Sequence, residues 1–444
     1  MDDTPTGRTL DRRIIDLALP ALGALVAEPL FVMIDSAVVG HLGTTQLAGL
    51  TLASTLLMTT VALFVFLAYA TTGAVARKLG TGDNRGALAL GLDGMWLALL
   101  LGLVLLVLGL LGAEKVVALM GASDQIAPHA VAYLRASMPG IPGMLVVLAT
   151  TGALRGLQDT KTPLRVAVIG AIVNAIGSVG LVYGAGMGIA GSGLATALTQ
   201  IGMAVALSWV VVREARGLGV SLRPAIGGIM ANARAGTPLL IRTLTLRAAI
   251  LLTVGCATAL GAVPLAAHQV VNSVWGLAAF ALDALAIAAQ ALVGHGLGAR
   301  EPATVRAVVR RCLRWGTLGG AVLGAVIAAV GWLIAPLFTS DPTVQSAAAW
   351  GLVVIGVLMP VAAWPYVLDG VLMGAGDGVY LAWAGGIALA MYAPLLAAVW
   401  IWAPGGTWGL VWLWISFAGG FMAARALTTW LRARGSRWMV LGDA

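Results

Sequence analysis

The octapeptide GALRGLQD, Gly152 to Asp159, returns 218 residues later as GVLMGAGD, Gly370 to Asp377, with Gly, Leu, Gly and Asp at identical spacing. The same offset pairs Pro20 with Pro238, Leu42-Gly43 with Leu260-Gly261, Leu47-Ala48 with Leu265-Ala266, Leu79-Gly80 with Leu297-Gly298, and Pro142 with Pro360. The chain is an internal duplication without gaps at its anchors. Each copy carries about six apolar stretches of the roughly 20 residues needed to cross a bilayer. Six is an even number, so the two copies have the same orientation and are related by an axis along the membrane normal. The expected organisation is residues 1–216 as an N-lobe with helices 1–6, residues 217–235 as a cytoplasmic linker, and residues 236–444 as a C-lobe with helices 7–12. The fold class is an all-α membrane protein.

Composition agrees. The 444 residues are 60% hydrophobic and 10% charged, with mean hydropathy +0.97, against about 25% charged residues in a soluble domain. The net charge of +8 does not indicate nucleic-acid binding, because the basic residues form small groups between apolar segments rather than a stripe interleaved with aromatics. They report topology. Arg8, Arg12 and Arg13, then Arg77, Lys78 and Arg85, then Arg155, Lys161 and Arg165, then Arg213 to Arg234, then Arg300 to Arg314, and finally Arg432 to Arg437 all fall on alternate loops, and the opposite loops hold almost only Lys115. By the positive-inside rule both termini are cytoplasmic and the protein is multi-pass in the cell membrane, with the inner membrane as its place in a two-membrane cell. The apolar segment after Arg13 has no small-residue cleavage site, so the first helix is expected to stay in the protein. Cys256 and Cys312 lie in separate helices and are expected to be inert packing residues.

Carboxylates are expensive inside a bilayer, on the order of 3 kcal/mol or more, yet AEPLFVMIDSAVVGHLG, Ala27 to Gly43, carries two. Glu28 and Asp35 are seven residues apart, which puts them within about 20° of one helix face and about 10 Å apart along the axis. Pro29 between them cannot donate to the carbonyl of Leu25 and invites a kink. Burial disfavours the charged form of either acid, and two neighbouring carboxylates disfavour joint ionisation. The stripe therefore reads as a proton-binding, moving part. In the second copy Arg242, Arg247, Asp283 and Asp369 are expected at membrane depth and to neutralise one another. His41, His129, His268 and His295 fall near helix ends without metal-ligand spacing.

No G-x-S-x-G elbow, phosphate-binding Gly-Lys-Ser loop or H-E-x-x-H motif is present, so an enzyme is not indicated and no cofactor or metal is expected. The 59 glycines suit close helix packing. With no nucleotide motif, the driving energy must come from an ion gradient. Five tryptophans between Trp400 and Trp414 read as an aromatic belt.

At these residues the sequence resembles the multidrug and toxic compound extrusion (MATE) family, in particular its DinF-like branch. The carriers are LALPALGALVAEPLFVMIDSAVVGHLGT in the first span, LGAVPLAAHQV between the seventh and eighth, ALDALAIAAQALVGHGLG in the eighth and YVLDGVLMGAGD in the tenth. The resemblance implies twelve helices in two pseudo-symmetric six-helix lobes of a V-shaped architecture. It also implies cation-coupled antiport that exports small organic, often cationic or amphipathic compounds against protons or sodium, in a monomer among membrane lipids. It places the coupling ion at Asp35, with Asn174 and Thr196 in the family's polar cluster, while Ser178 stands where a second aspartate is usual. Glu28 is then a candidate for the missing carboxylate. Asp369 fits the family's tenth-helix aspartate. With one carboxylate fewer the site favours a proton over a dehydrated sodium ion, which needs several oxygen ligands. Two alternatives are sodium-coupled efflux and a flippase for a lipid-linked or amphipathic molecule. A lipid-linked pyrophosphate would favour a basic cavity, which Glu28 and Asp35 do not provide.

Overall fold

The computed structural model describes residues 7–442, with Glu28 and Gly7 described by their backbone alone. Among the described residues it holds twelve helices long and apolar enough to span a membrane. We label them α1 (Arg8–Gly40), α2 (Thr44–Gly80), α3 (Asn84–Leu119), α4 (Ala127–Gly156), α5 (Lys161–Gly184), α6 (Ile189–Gly217), α7 (Ile226–Ala259), α8 (Ala262–Gly298), α9 (Pro302–Phe338), α10 (Pro342–Gly374), α11 (Gly378–Trp402) and α12 (Thr407–Ala433). The duplication is visible in the boundaries: α2 and α8 begin and end 218 residues apart, and α6 and α12 begin 218 apart.

The turns repeat as well. Gly43 and Gly261, one residue before α2 and α8 in register, both have positive φ, 143° and 112°, and Gly188 and Gly406 before α6 and α12 have φ of 57° and 68°. A side chain disfavours this backbone, so glycine is retained in both copies.

The chain forms two compact units, one of residues 19–237 and one of residues 1–18 with 238–444. The expected linker, residues 217–235, is coil as far as residue 225 and then becomes the first turns of α7 from Ile226. Asp93 accepts a hydrogen bond from the Ala225 amide at 3.0 Å. Asn232 donates to the carbonyls of Leu90 and Gly228, so this segment is tied to the first unit. Within each unit the fourth helix of the copy is central: α4 packs on α2, α3 and α6, and α10 packs on α8, α9 and α12.

The quoted octapeptides explain that packing. A Cβ on Gly152 would lie 2.4 Å from the Ala68 carbonyl oxygen, and one on Gly370 would lie 2.3 Å from the Ala286 carbonyl oxygen. Ala68 and Ala286 are themselves 218 apart, so both copies bring α4 onto α2, and α10 onto α8, through the same backbone-to-backbone approach. α1 is assigned as helix straight through Pro20 and Pro29. Proline removes an intrahelical donor at each without ending the helix. Of the five clustered tryptophans, Trp400, Trp402, Trp408 and Trp412 are exposed, as a belt requires, but Trp414 is buried because α12 turns it into the core. Cys256 and Cys312 are both buried.

We predict that Gly370→Ala lowers the stability of detergent-purified protein by about 1–3 kcal/mol, the usual effect of overpacking. Gly386→Ala, whose Cβ would meet nothing within 4 Å, should be neutral. Equal melting of the two variants would contradict the close-approach account.

Candidate functional site

Asp35 sits five residues before the end of α1 and is 3% exposed. A buried carboxylate needs donors, and the first unit supplies three from three helices. Ser178 on α5 donates to its Oδ1 at 2.9 Å. Thr196 on α6 and Tyr133 on α4 donate to its Oδ2 at 2.9 and 3.1 Å. Asn174, one turn before Ser178, donates from Nδ2 to the Thr196 hydroxyl at 3.2 Å. Its Oδ1, also buried, finds no donor among the described residues. Four helices thus converge on one side chain.

Local backbone helps to aim these groups. α5 ends in a π-helical segment, Gly180–Gly184, and Tyr183 within it donates to the Val38 carbonyl of α1 at 2.6 Å. The wider turn therefore fastens the end of α5 to the end of α1, next to Asp35. A small cavity of about 20 Å³ lies over the carboxylate, lined by Phe31, Leu50, Ser54, Met58, Met144 and Gln200 among others. That is room for about one water. It could also take a bare ion, and it is far too small for an organic substrate.

Four of the residues singled out from the sequence, Asp35, Asn174, Ser178 and Thr196, meet here. The side chain of Glu28 lies outside the described residues. Tyr133 was missed. Its only signal is a phenol among small apolar neighbours in HAVAYLRAS, His129 to Ser137, and nothing in that stretch says which way it faces.

The repeat register carries Asp35, Asn174 and Thr196 onto Thr253, Tyr392 and Trp414, and carries Leu50 onto His268. These four also cluster: the Thr253 and Tyr392 hydroxyls are 2.7 Å apart, and Trp414 stacks on His268 with ring centroids at 5.3 Å. The corresponding place in the second unit is therefore filled by aromatic packing and holds no carboxylate. No group of histidine, cysteine and acidic residues suited to a metal occurs among the described residues.

Charge in the second unit gathers elsewhere. Asp369, 3% exposed, accepts from Arg242 on α7, with Nε at 3.2 Å. It also pairs with Nη2 of Arg242 and with Nη2 of Arg425 on α12. Arg425 lies over the rings of Tyr366 and Phe421 at 5.7 and 5.9 Å. Arg247 does not join them. It is exposed, because five residues past Arg242 is about 140° around the helix. Arg425 takes the place expected for it. The amphipathic end of α12, preceded by a π-helical segment at Ile415–Phe421, reads from sequence as another cytoplasmic basic end, which hid this arginine.

Removing Asp369 would leave the buried Arg425 and the largely buried Arg242 without their shared anion. We predict that Asp369→Ala costs about 3–5 kcal/mol, read by thermal unfolding, and that adding Arg425→Met to that variant recovers part of the loss. A fully stable Asp369→Ala protein that no longer transports would instead place the cluster in the mechanism.

The MatE family model matches residues 20–179 and 238–399, two segments whose starts are again 218 apart. The DETOXIFICATION 44 protein of Arabidopsis thaliana, described as chloroplastic, is 30% identical over 97% of this chain and 84% of its own length. The DNA damage-inducible protein F of Escherichia coli is 28% identical, covering 79% of this chain and 77% of that protein. A probable multidrug resistance protein NorM of Thermotoga maritima is 25% identical over 78% and 76%. Among solved structures, MATE in the bent conformation superimposes with a TM-score of 0.88 at 21% identity, over 97% of this chain and 96% of that one. The outward-facing conformation of a multidrug resistance MATE family transporter gives 0.87 at 21% identity over the same shares. The duplicated twelve-helix frame and the match of both copies establish that this chain is a multi-pass membrane transporter belonging to the MatE family.

Proposed function

We propose that the protein is a proton-coupled antiporter that exports small organic cations or amphipathic compounds, working as a monomer in the cell membrane with both termini cytoplasmic. The observation that carries this reading is the Asp35 carboxylate with three hydroxyl donors and a cavity for one water. The arginine distribution supports the orientation. The multidrug and detoxification relatives support the substrate class.

Donors from α4, α5 and α6 hold an ionised Asp35, while burial penalises the same charge. Binding a proton turns one carboxylate oxygen from acceptor into donor, so a neighbouring hydroxyl must rotate or withdraw. The hydroxyls of Ser178, Thr196 and Tyr133 are able to do so. The charge that ties α1 to its three neighbours is then gone. α1 lacks a donor at Pro29 and is the element free to shift. Protonation biases one arrangement of α1 and an organic cation favours the other, which is the requirement for exchange. A dehydrated sodium ion would need several oxygen lone pairs. Here both carboxylate oxygens already accept O–H donors, which a sodium ion would have to displace, and the buried Asn174 Oδ1 and Ser192 Oγ are the acceptors left without a partner among the described residues. Glu28, seven residues before Asp35 on the same helix, is proposed as a second proton-binding carboxylate on spacing alone. The cluster of Arg242, Asp283, Asp369 and Arg425 is proposed as structural, with Arg247 outside it.

The test is efflux of a fluorescent organic cation from proteoliposomes under an imposed pH gradient and, separately, an imposed sodium gradient. The pH gradient drives efflux in the native protein and not in Asp35→Asn, whose melting is unchanged. Ser178→Ala and Tyr133→Phe, each leaving two donors, keep a gradient response at reduced rate. Sodium-driven efflux at constant pH without any response to a pH gradient would overturn the choice of ion. Coupled efflux by Asp35→Asn would overturn the site.

A further inference from the structure

A wide groove in the unit that holds residues 238–442 has no part in the chemistry above. It is a groove of about 1530 Å³, lined along α9 from Arg310 to Val326, with Leu285 of α8, Trp364 of α10 and Leu10 of α1 at its walls. A drug-sized pocket is about 300–1,000 Å³, so this one accommodates something longer.

Its chemistry changes along its length. From Leu318 to Val326 the exposed residues are apolar, with Val322 67% accessible. At the other end stand Arg310, Arg311 and Arg314. Arg311 is neutralised by Asp11, and the Trp315 indole donates to the same carboxylate at 2.7 Å. The Trp364 indole is likewise occupied by the Thr317 hydroxyl at 3.1 Å. Arg310 and Arg314 are exposed and make no ion pair among the described residues. They are one turn apart on the same face, about 5–6 Å between Cβ atoms. From Arg314 to Val326 is twelve residues, about 18 Å of helix, close to the roughly 15 Å hydrocarbon depth of one leaflet.

We propose that this groove binds an anionic phospholipid, with its phosphate between Arg310 and Arg314 and its acyl chains against Leu318, Val322 and Val326. Two unneutralised guanidinium groups at the polar end of an apolar slot one leaflet deep match a headgroup carrying negative charge, and basic recesses between membrane helices are known binders of such headgroups. The inference rests on the proposed orientation only in assigning the lipid to the cytoplasmic leaflet.

The experiment measures melting of the full-length protein in detergent with dioctanoyl phosphatidylglycerol, dioctanoyl phosphatidylcholine or glycerol 3-phosphate. Phosphatidylglycerol should raise the Tm saturably and the other two should not. In Arg310→Gln/Arg314→Gln the apparent affinity for phosphatidylglycerol should fall about thirtyfold, the effect of two interfacial charges, with the lipid-free Tm unchanged. Val322→Trp, which fills the slot and keeps both arginines, should abolish the shift, and Arg216→Gln, at the exposed basic end of α6, should leave it intact. An equal shift with phosphatidylcholine would make the groove a neutral chain site. An equal shift with glycerol 3-phosphate would make it a soluble-anion site, and equal loss in Arg216→Gln would make the effect general surface charge. Each of these outcomes overturns the proposal. The readout does not involve transport, so it stands or falls separately from proton coupling at Asp35.

Discussion

The buried carboxylate of Asp35 gathers four helices of the first unit around one side chain. Asp35 would be prohibitive in hydrocarbon without partners. It is tolerated because Tyr133, Ser178 and Thr196 reach it from three different helices, and Asn174 orients one of them. The same geometry makes the tie sensitive to charge. Donors that suit a carboxylate suit a carboxylic acid less well, so a change at one atom is felt by four helices at once.

The duplicated frame shows how one scaffold carries two unlike interiors. Turn glycines, helix boundaries and the Gly152 and Gly370 contacts repeat at one offset, because they answer to backbone geometry that both copies share. Side chains at the matched interior positions have diverged. Where the first copy has Asp35, Asn174 and Thr196, the second has Thr253, Tyr392 and Trp414, a hydroxyl pair and an aromatic stack. Its charges instead meet around Asp369, where two arginines share one anion. Such a cluster is costly to break from one side and need not add much stability when whole. On this account the asymmetry is functional: one unit holds the group that exchanges a proton and the other holds a charge cluster that stays fixed.

Much of this was legible in the sequence because it depends on spacing along the chain. The duplication, the twelve spans and the meeting of Asp35 with Asn174, Ser178 and Thr196 follow from offsets and from the motifs of the MATE resemblance. What was not legible depends on rotation about helix axes and on local departures from α-helical geometry. Tyr133 could have faced lipid as easily as Asp35. Arg425 lies beyond a π-helical segment that changes the phase of α12, so a regular helix drawn through it points the wrong way. Arg247 illustrates the converse, since an arginine in an apolar run looked buried and the helix turns it outward. The expected linker, residues 217–235, overlaps the start of α7 at Ile226 for a related reason: polarity up to Arg234 masks the beginning of that helix.

On the proposed mechanism Asp35 changes protonation state when substrate binds. Infrared difference spectroscopy of the reconstituted protein, recorded on adding an organic cation at a pH where transport is active, reads that event directly. The account predicts loss of a protonated-carboxyl band with gain of carboxylate absorption in the native protein, and neither signal in Asp35→Asn. A native difference spectrum without any carboxyl change, or one that persists in Asp35→Asn, would contradict it.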